Sequence, residues 1–459
     1  MTRDRRSTLA LLAGSSAVQM SSNMVAALLA ASVLGPHGRG LMVLGVSTAG
    51  IVPLLAGLGT GPQLRSAYPV VGGGARRRDL VASYTWWSVA ATVSAAVLAV
   101  AVSALSAPLI APALADPRYL LALSVLTCGY VAHTQLPDGW YAAGLFRSGS
   151  LWAMATTLGG GLGLLVAVTV APSVWSLLLG QGAGMLTATT AQVVALRATG
   201  LLCFQTPTRR ELSRLLGRGC RALGLTLGLA LALRLDRYVL GALTGAAAVG
   251  VYSVASTLGQ VPRMVPNAIG QLVNRDAAVA SGPLRPVRTV AATAGVVTAV
   301  GAVTGLLGWL VVIPLLGPGF AAAGPLLVVL LVAEVAFVPY AVASRALLGA
   351  GRMGAVGAFG LAWSAAALAL FLLAVQLWGT AGAAVACVAV YAGISASSWL
   401  LLTRRAAPRS ARRRPGADRR RPGADRRRGP GGPRHTDSAD PRPEPAGDAR
   451  PRPSPLSRV

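Results

Sequence analysis

The chain contains no lysine: all 41 of its basic residues are arginine. That absence removes two chemistries, because a Walker A loop needs a lysine to reach nucleotide phosphates and a Schiff-base enzyme needs an amine. Histidine is almost as scarce. His37, His133 and His435 are far apart in sequence and show no metal-binding spacing. The four cysteines, Cys128, Cys203, Cys220 and Cys387, form no CxxC pair; Cys128 and Cys387 fall in apolar stretches and read as small, reduced, buried residues. Charge is sparse at 12% of residues, and aromatics make up only 5%. This inventory leads to the expectation of no enzymatic site, no cofactor and no metal.

What is abundant is apolar sequence in long blocks. Hydrophobic residues make up 54% of the chain. Runs of about 20, the length that crosses a hydrocarbon core of roughly 30 Å, recur from Leu9 to Leu402 with short breaks. Twelve spans can be counted: 8–34, 40–62, 81–105, 119–142, 150–171, 174–196, 217–243, 246–272, 289–314, 321–344, 354–377 and 379–402. The predicted fold class is an all-α integral membrane bundle of about twelve transmembrane helices. The N-terminal MTRDRRSTLALLAG begins like a signal peptide, but its apolar region runs on to about Leu34 without a small-residue cleavage site, which predicts an uncleaved first helix.

Arginine placement tests the count independently. With the N-terminus inside, the cytoplasmic segments of the body carry nineteen arginines, the external loops carry only Arg39 and Arg118, and Arg234, Arg237 and Arg263 lie within spans. The bias predicts a multi-pass protein of the cytoplasmic membrane with both termini cytoplasmic. The chain also repeats at an offset of 210 residues: Gly14 matches Gly224, Gly35 matches Gly245, Gly40 matches Gly250, Arg65 matches Arg275, Arg78 matches Arg288, and Pro108 matches Pro318. Six helices per half predicts parallel lobes related by an axis along the membrane normal. The expected division is an N-lobe over 1–200 and a C-lobe over 201–403, with the longest cytoplasmic linker near 197–216.

From 404 to 459 the character changes. RRRPGADRRRPGADRRRG repeats a seven-residue unit, and the segment holds seventeen arginines against six acidic residues with almost nothing apolar. It cannot bury a core and is expected to be disordered. Adhesion to anionic lipids of the inner leaflet is one reading; a low-complexity extension with a topological role or none is the other. With no aromatic residue in the tail, nucleic-acid binding is not expected.

The stretch LALRLDRYVLGAL, residues 231–243, puts three charges into an oily run. Each opposes insertion at a helix centre by roughly 2.5–3.5 kcal/mol. Only twelve residues separate Arg221 from Arg234, about 18 Å of helix and too short for the core, so the cluster is expected within the outer half of helix seven, facing the bundle interior. Arg234 and Arg237, three apart, share a face; Asp236 sits beside it and either orients an arginine or titrates. Ser15, Gln19, Ser22 and Asn23 line one side of the first helix, as interhelical glue or as the wall of a central cavity. Arg263 lies between Pro262 and Pro266, where a kink is expected. Glu334 in the tenth span, and His133 and Asp138 in the fourth, fit a cavity or coupling role and a structural role equally well. The intramembrane charge leans cationic, and the planar fork of arginine suits phosphate.

Residues 234–273, RLDRYVLGALTGAAAVGVYSVASTLGQVPRMVPNAIGQLV, resemble the seventh and eighth helices of polysaccharide flippases in the multidrug/oligosaccharidyl-lipid/polysaccharide (MOP) exporter superfamily. LLGPGFAAAGPLLVVLL at 315–331 is similar to that family's turn between helices nine and ten, and ALLGAGRMGAVG and GLGTGPQLRSA also fit. The resemblance covers residues 7–402. It implies two six-helix lobes forming a V around a central cavity that opens alternately to either face. It further implies movement of glycans on a polyprenyl pyrophosphate carrier from the inner to the outer leaflet. On this resemblance Arg234, Asp236 and Arg237 would engage pyrophosphate, with Arg263, Gln19 and Asn23 in support; the missing lysine departs from many relatives. The expected function is a flippase for lipid-linked oligosaccharide or polysaccharide precursors, its partner the lipid bilayer. A drug or metabolite exporter of the same superfamily would favour acidic cavity residues. A polymerase or ligase would need larger external loops, and a non-transporting scaffold of envelope polysaccharide synthesis is the remaining alternative.

Overall fold

A computed structural model of the chain describes residues 3–266, 269, 286–349 and 353–404. The arginine-rich tail beyond 404, with its RRRPGAD repeat, and Arg275 of the 210-residue offset lie outside the described residues, which contain helices and turns but no strand.

Among the described residues twelve main helices can be followed. α1 (3–34) and α2 (36–57) form one run, Arg3–Gly57, divided at Gly35; a short helix, Thr60–Ala67, continues α2. α3 is Gly74–Ile110, α4 Pro117–Ala142, α5 Phe146–Val170 and α6 Val174–Ala198. α7 runs over Arg209–Ala232, breaks, and resumes as Leu235–Thr244. α8 is Ala246–Gly259, followed by a 3₁₀ turn, Val261–Arg263, at the predicted proline kink. α9 begins as Pro286–Leu307 and passes through a π turn, Gly308–Val312, to Leu316. α10 is Ala323–Gly349, and α11 (353–378) and α12 (380–404) are one run, Met353–Arg404, divided at Gly379. Seven described runs are long and apolar enough to cross a membrane; two of them, Gly14–Gly57 and Ala362–Leu401, have length for two passes. Large side chains such as Leu105, Leu109, Val170 and Leu315 stand exposed on the flanks, as apolar residues that face acyl chains do.

The sharp reversals follow from glycine. Gly35 has φ 65°, ψ −178° and Gly245 has φ 86°, ψ 172°, a left-handed region that a Cβ makes costly. These two glycines are offset mates, and they adopt the same bend before α2 and before α8. Five residues on, Gly40 and Gly250 bring those helices together. A Cβ on Gly40 would lie 1.7 Å from the Ala246 carbonyl oxygen, and one on Gly250 would lie 1.8 Å from that of Pro36. The crossing is therefore backbone on backbone, and it is reciprocal: 36 and 40 meet 250 and 246. Arg78 and Arg288 likewise fall in the opening turns of α3 and α9. The offset fails at Pro108, which lies inside α3, whereas Pro318 opens a turn between α9 and α10.

Each set of six helices packs largely on itself, α5 and α4 on α6 in the first, and α7 and α10 on the α11–α12 run in the second. Between the sets runs the α2–α8 crossing.

Candidate functional site: an arginine-lined cavity

Between the two sets lies a cavity of about 580 Å³ walled mainly by α1, α2, α7 and α8, with Tyr130, Leu164 and Gln181 contributed by α4, α5 and α6. Its cationic side is built where α7 breaks. The sequence predicts one continuous span over 217–243; instead the helix stops at Ala232 and restarts at Leu235, leaving Arg234 at φ −134°, ψ −8°. Asp236 accounts for the restart. Buried in its first turn, it accepts a hydrogen bond from the Arg237 backbone N–H at 2.9 Å and one from the Tyr252 hydroxyl at 2.8 Å. A short acidic side chain competes for backbone donors and is favourable at a helix N-terminus.

The expected trio is thereby split. Arg234 and Arg237 line the cavity and Asp236 does not; among the described residues no guanidinium lies within ion-pair distance of Asp236. Its place is behind the wall, tying α7 to α8. Arg234 reaches α2, its Nη1 3.5 Å from the Ser47 carbonyl oxygen, and Gly50 makes room for it, because a Cβ there would sit 2.0 Å from Nη1. Arg237 donates from Nη1 to the Ser47 hydroxyl at 3.0 Å, while its Nε is buried without a partner.

A third arginine joins them that sequence reasoning assigned to an external loop. Arg39 lies in the first turns of α2, is only 5% exposed, lines the cavity, and has a buried Nε without a partner. The signal was available. Gly35 matches Gly245 and Pro36 suits a first helical turn, so the helix after Gly35 begins as early as the one after Gly245.

Arg263 also faces the cavity, but the protein neutralises it. Its Nε donates to Glu334 Oε2 at 2.8 Å, and its Nη2 donates to Glu334 Oε1 at 2.5 Å and to the Tyr391 hydroxyl at 3.0 Å. Its guanidinium carbon stands 4.7 Å from the Phe337 ring centroid and 5.3 Å from that of Tyr391. Glu334 is thus a structural counter-ion behind the wall rather than a free acid in the cavity.

Of the polar stripe on α1, Gln19 and Asn23 line the cavity, and Ser15 and Ser22 do not. Gln181 is a further lining residue, with a buried Oε1 lacking a partner. His133 and Asp138 lie elsewhere: the His133 Nδ1 is 2.9 Å from the Thr156 hydroxyl, joining α4 to α5, and Asp138 Oδ1 accepts from Arg65 Nε at 2.6 Å, holding the extension of α2 against α4. Among the described residues no group of histidine, cysteine and carboxylate side chains is arranged to hold a metal.

Arg39, Arg234 and Arg237 therefore converge without a carboxylate, opposite amides that can donate and accept. Withdrawing a charge from water costs several kcal/mol per ion unless it is compensated. Three guanidiniums with no carboxylate at ion-pair distance among the described residues present fork-shaped donors to a polyanion, and the amides can meet hydroxyls.

Fold and cavity together define a class, a multi-pass membrane protein with the architecture of MOP-superfamily transporters. Solved structures with this fold include an inward-facing multidrug resistance transporter of the MATE family, with a TM-score of 0.66 at 16% identity, covering 84% of this chain and 94% of that one. Lipid II flippase MurJ in an inward closed conformation gives 0.67 at 10% identity, covering 84% and 91%. A MOP-superfamily transporter from Pyrococcus furiosus, described as having a binding pocket of reverse polarity, gives 0.52 at 14%, covering 87% and 95%. No curated protein matches the chain in sequence. The family described as polysaccharide biosynthesis protein matches residues 6–274, and the chain belongs to that family.

Proposed function

We propose that the protein flips a lipid-linked oligosaccharide or polysaccharide precursor across the cytoplasmic membrane. The mechanism is alternating access between an N-lobe, 1–200, and a C-lobe, 201–403, with both termini cytoplasmic. The observation that carries this reading is the convergence of Arg39, Arg234 and Arg237 in one cavity whose described lining holds no carboxylate, with none at ion-pair distance from them. A pyrophosphate supplies the missing negative charge, and the glycan beyond it meets Gln19, Asn23 and Gln181. Asp236 and Glu334 act by placing Arg237 and Arg263. Membership of a polysaccharide biosynthesis family and a fold shared with a lipid II flippase support the same substrate class. A cation exporter fits less well, since no carboxylate is among the described lining residues and Glu334 is already engaged by Arg263.

The test is transbilayer movement of a fluorescent polyprenyl-pyrophosphate glycan in proteoliposomes. The wild-type protein moves it; Arg234→Ala with Arg237→Ala loses two charged contacts worth about 1.5–3 kcal/mol each, a drop of at least about 100-fold. Undiminished movement in the double variant removes the pyrophosphate clamp, and movement of cationic dyes in its place revives the exporter.

A further inference from the structure

α1 separates two spaces of opposite character. One face lines the arginine cavity. The other, with α5, walls an apolar groove of about 530 Å³ that includes Val18, Val25 and Leu29 from α1 and Leu158, Leu162 and Leu165 from α5. Ala17, Ala26 and Leu164 belong to both walls, so the polar and the apolar compartment adjoin along these residues. The groove opens outward: Val25 and Leu162 are 61% and 63% exposed on the flank of the bundle. Gly161 keeps its floor low, since a Cβ there would already lie 3.1 Å from the Ser22 hydroxyl oxygen. The stripe on α1 divides accordingly, Gln19 and Asn23 toward the arginines and Ser22 toward the groove.

We propose that this groove seats the hydrocarbon tail of the same molecule whose anionic head occupies the arginine cavity; the inference rests on the flippase reading above. An amphiphile cannot draw a long apolar chain into a cavity lined by charge without losing its hydrophobic stabilisation, nor leave a pyrophosphate among acyl chains. Two adjoining compartments of opposite polarity that share lining residues satisfy both halves at once. The groove gives the tail a protein surface beside the head, continuous with the bilayer.

The experiment uses the full chain in nanodiscs with a photoreactive amino acid at Val25 or at Leu162. The probes are a polyprenyl-pyrophosphate sugar, the same glycosyl pyrophosphate without a tail, and phosphatidylcholine. Both positions crosslink to the polyprenyl probe, the tail-less head in excess suppresses the crosslink, and phosphatidylcholine labels weakly and is not displaced by the head. Gly161→Leu, which fills the groove, weakens the lipid-linked probe at least about tenfold and leaves tail-less binding unchanged. Labelling by phosphatidylcholine as strong as by the polyprenyl probe, or a Gly161→Leu effect that is nil or equal on both pyrophosphates, overturns the proposal. Tail-less binding without tail labelling sinks the groove alone; failure of both pyrophosphates to bind the wild-type protein sinks the head site with it.

Discussion

Arg39 and Arg263 are wall residues of one cavity, yet they hold their charge in opposite ways. Arg263 is gripped by a carboxylate through two nitrogens, by a tyrosine hydroxyl and by two aromatic faces. Arg39 has a buried Nε with no partner, and among the described residues neither it nor its neighbours Arg234 and Arg237 has a carboxylate at ion-pair distance. The first arrangement spends the guanidinium on the fold. The second reserves it for a visitor, and the contrast separates a residue that stabilises from one that binds.

Unequal mutational consequences can break that contrast. The largest is expected at Glu334→Ala, which strands Arg263 as an uncompensated buried charge and destabilises the protein by about 3–5 kcal/mol, read as thermal unfolding in detergent. Joint replacement Arg263→Met with Glu334→Leu restores most of that stability, because a buried pair exchanged for apolar residues is close to neutral. Arg39→Met should do the reverse of Glu334→Ala: ligand binding falls by about 1.5–3 kcal/mol while the unfolding temperature of the empty protein holds or rises. Equal destabilisation by Arg39→Met would erase the distinction. Next, Arg39→Lys keeps the charge and loses the planar fork, so affinity for a pyrophosphate falls by roughly tenfold, between wild type and Arg39→Met. The smallest effect belongs to Arg214→Ala, whose exposed partner is Glu211 three residues earlier at 3.3 Å; it should change stability by less than about 0.5 kcal/mol.

The fold was legible because its signals are collective. Twelve apolar blocks survive local errors in any one of them, and Gly35 and Gly245 mark the same bend in each half. The site was legible in part. Arg234, Arg237, Arg263, Gln19 and Asn23 line one cavity. Arg39 was misplaced because the first loop was given five residues, whereas a single glycine makes the turn. The break at 233–234 was hidden because leucine and alanine on either side are good helix formers; it reflects Asp236 and Tyr252, a contact sixteen residues apart that no local pattern reports. Glu334 and Arg263, 71 residues apart, were both marked as unusual, but only the packing of α10 against the end of α8 makes them a pair.

The Gly40–Gly250 crossing has a consequence for the symmetry of the chain. In a two-fold dimer a residue near the axis meets the same patch of its copy, and each substitution is felt twice. Here 36 and 40 face 250 and 246 as two identical subunits would, so within one polypeptide the crossing has the reciprocity of a two-fold interface. Arg39 stands on one side of that crossing and the buried valine Val249 at its offset mate on the other: the reciprocity of the backbone contact does not extend to charge, so α2 brings to the cavity a guanidinium that α8 does not match at the corresponding position.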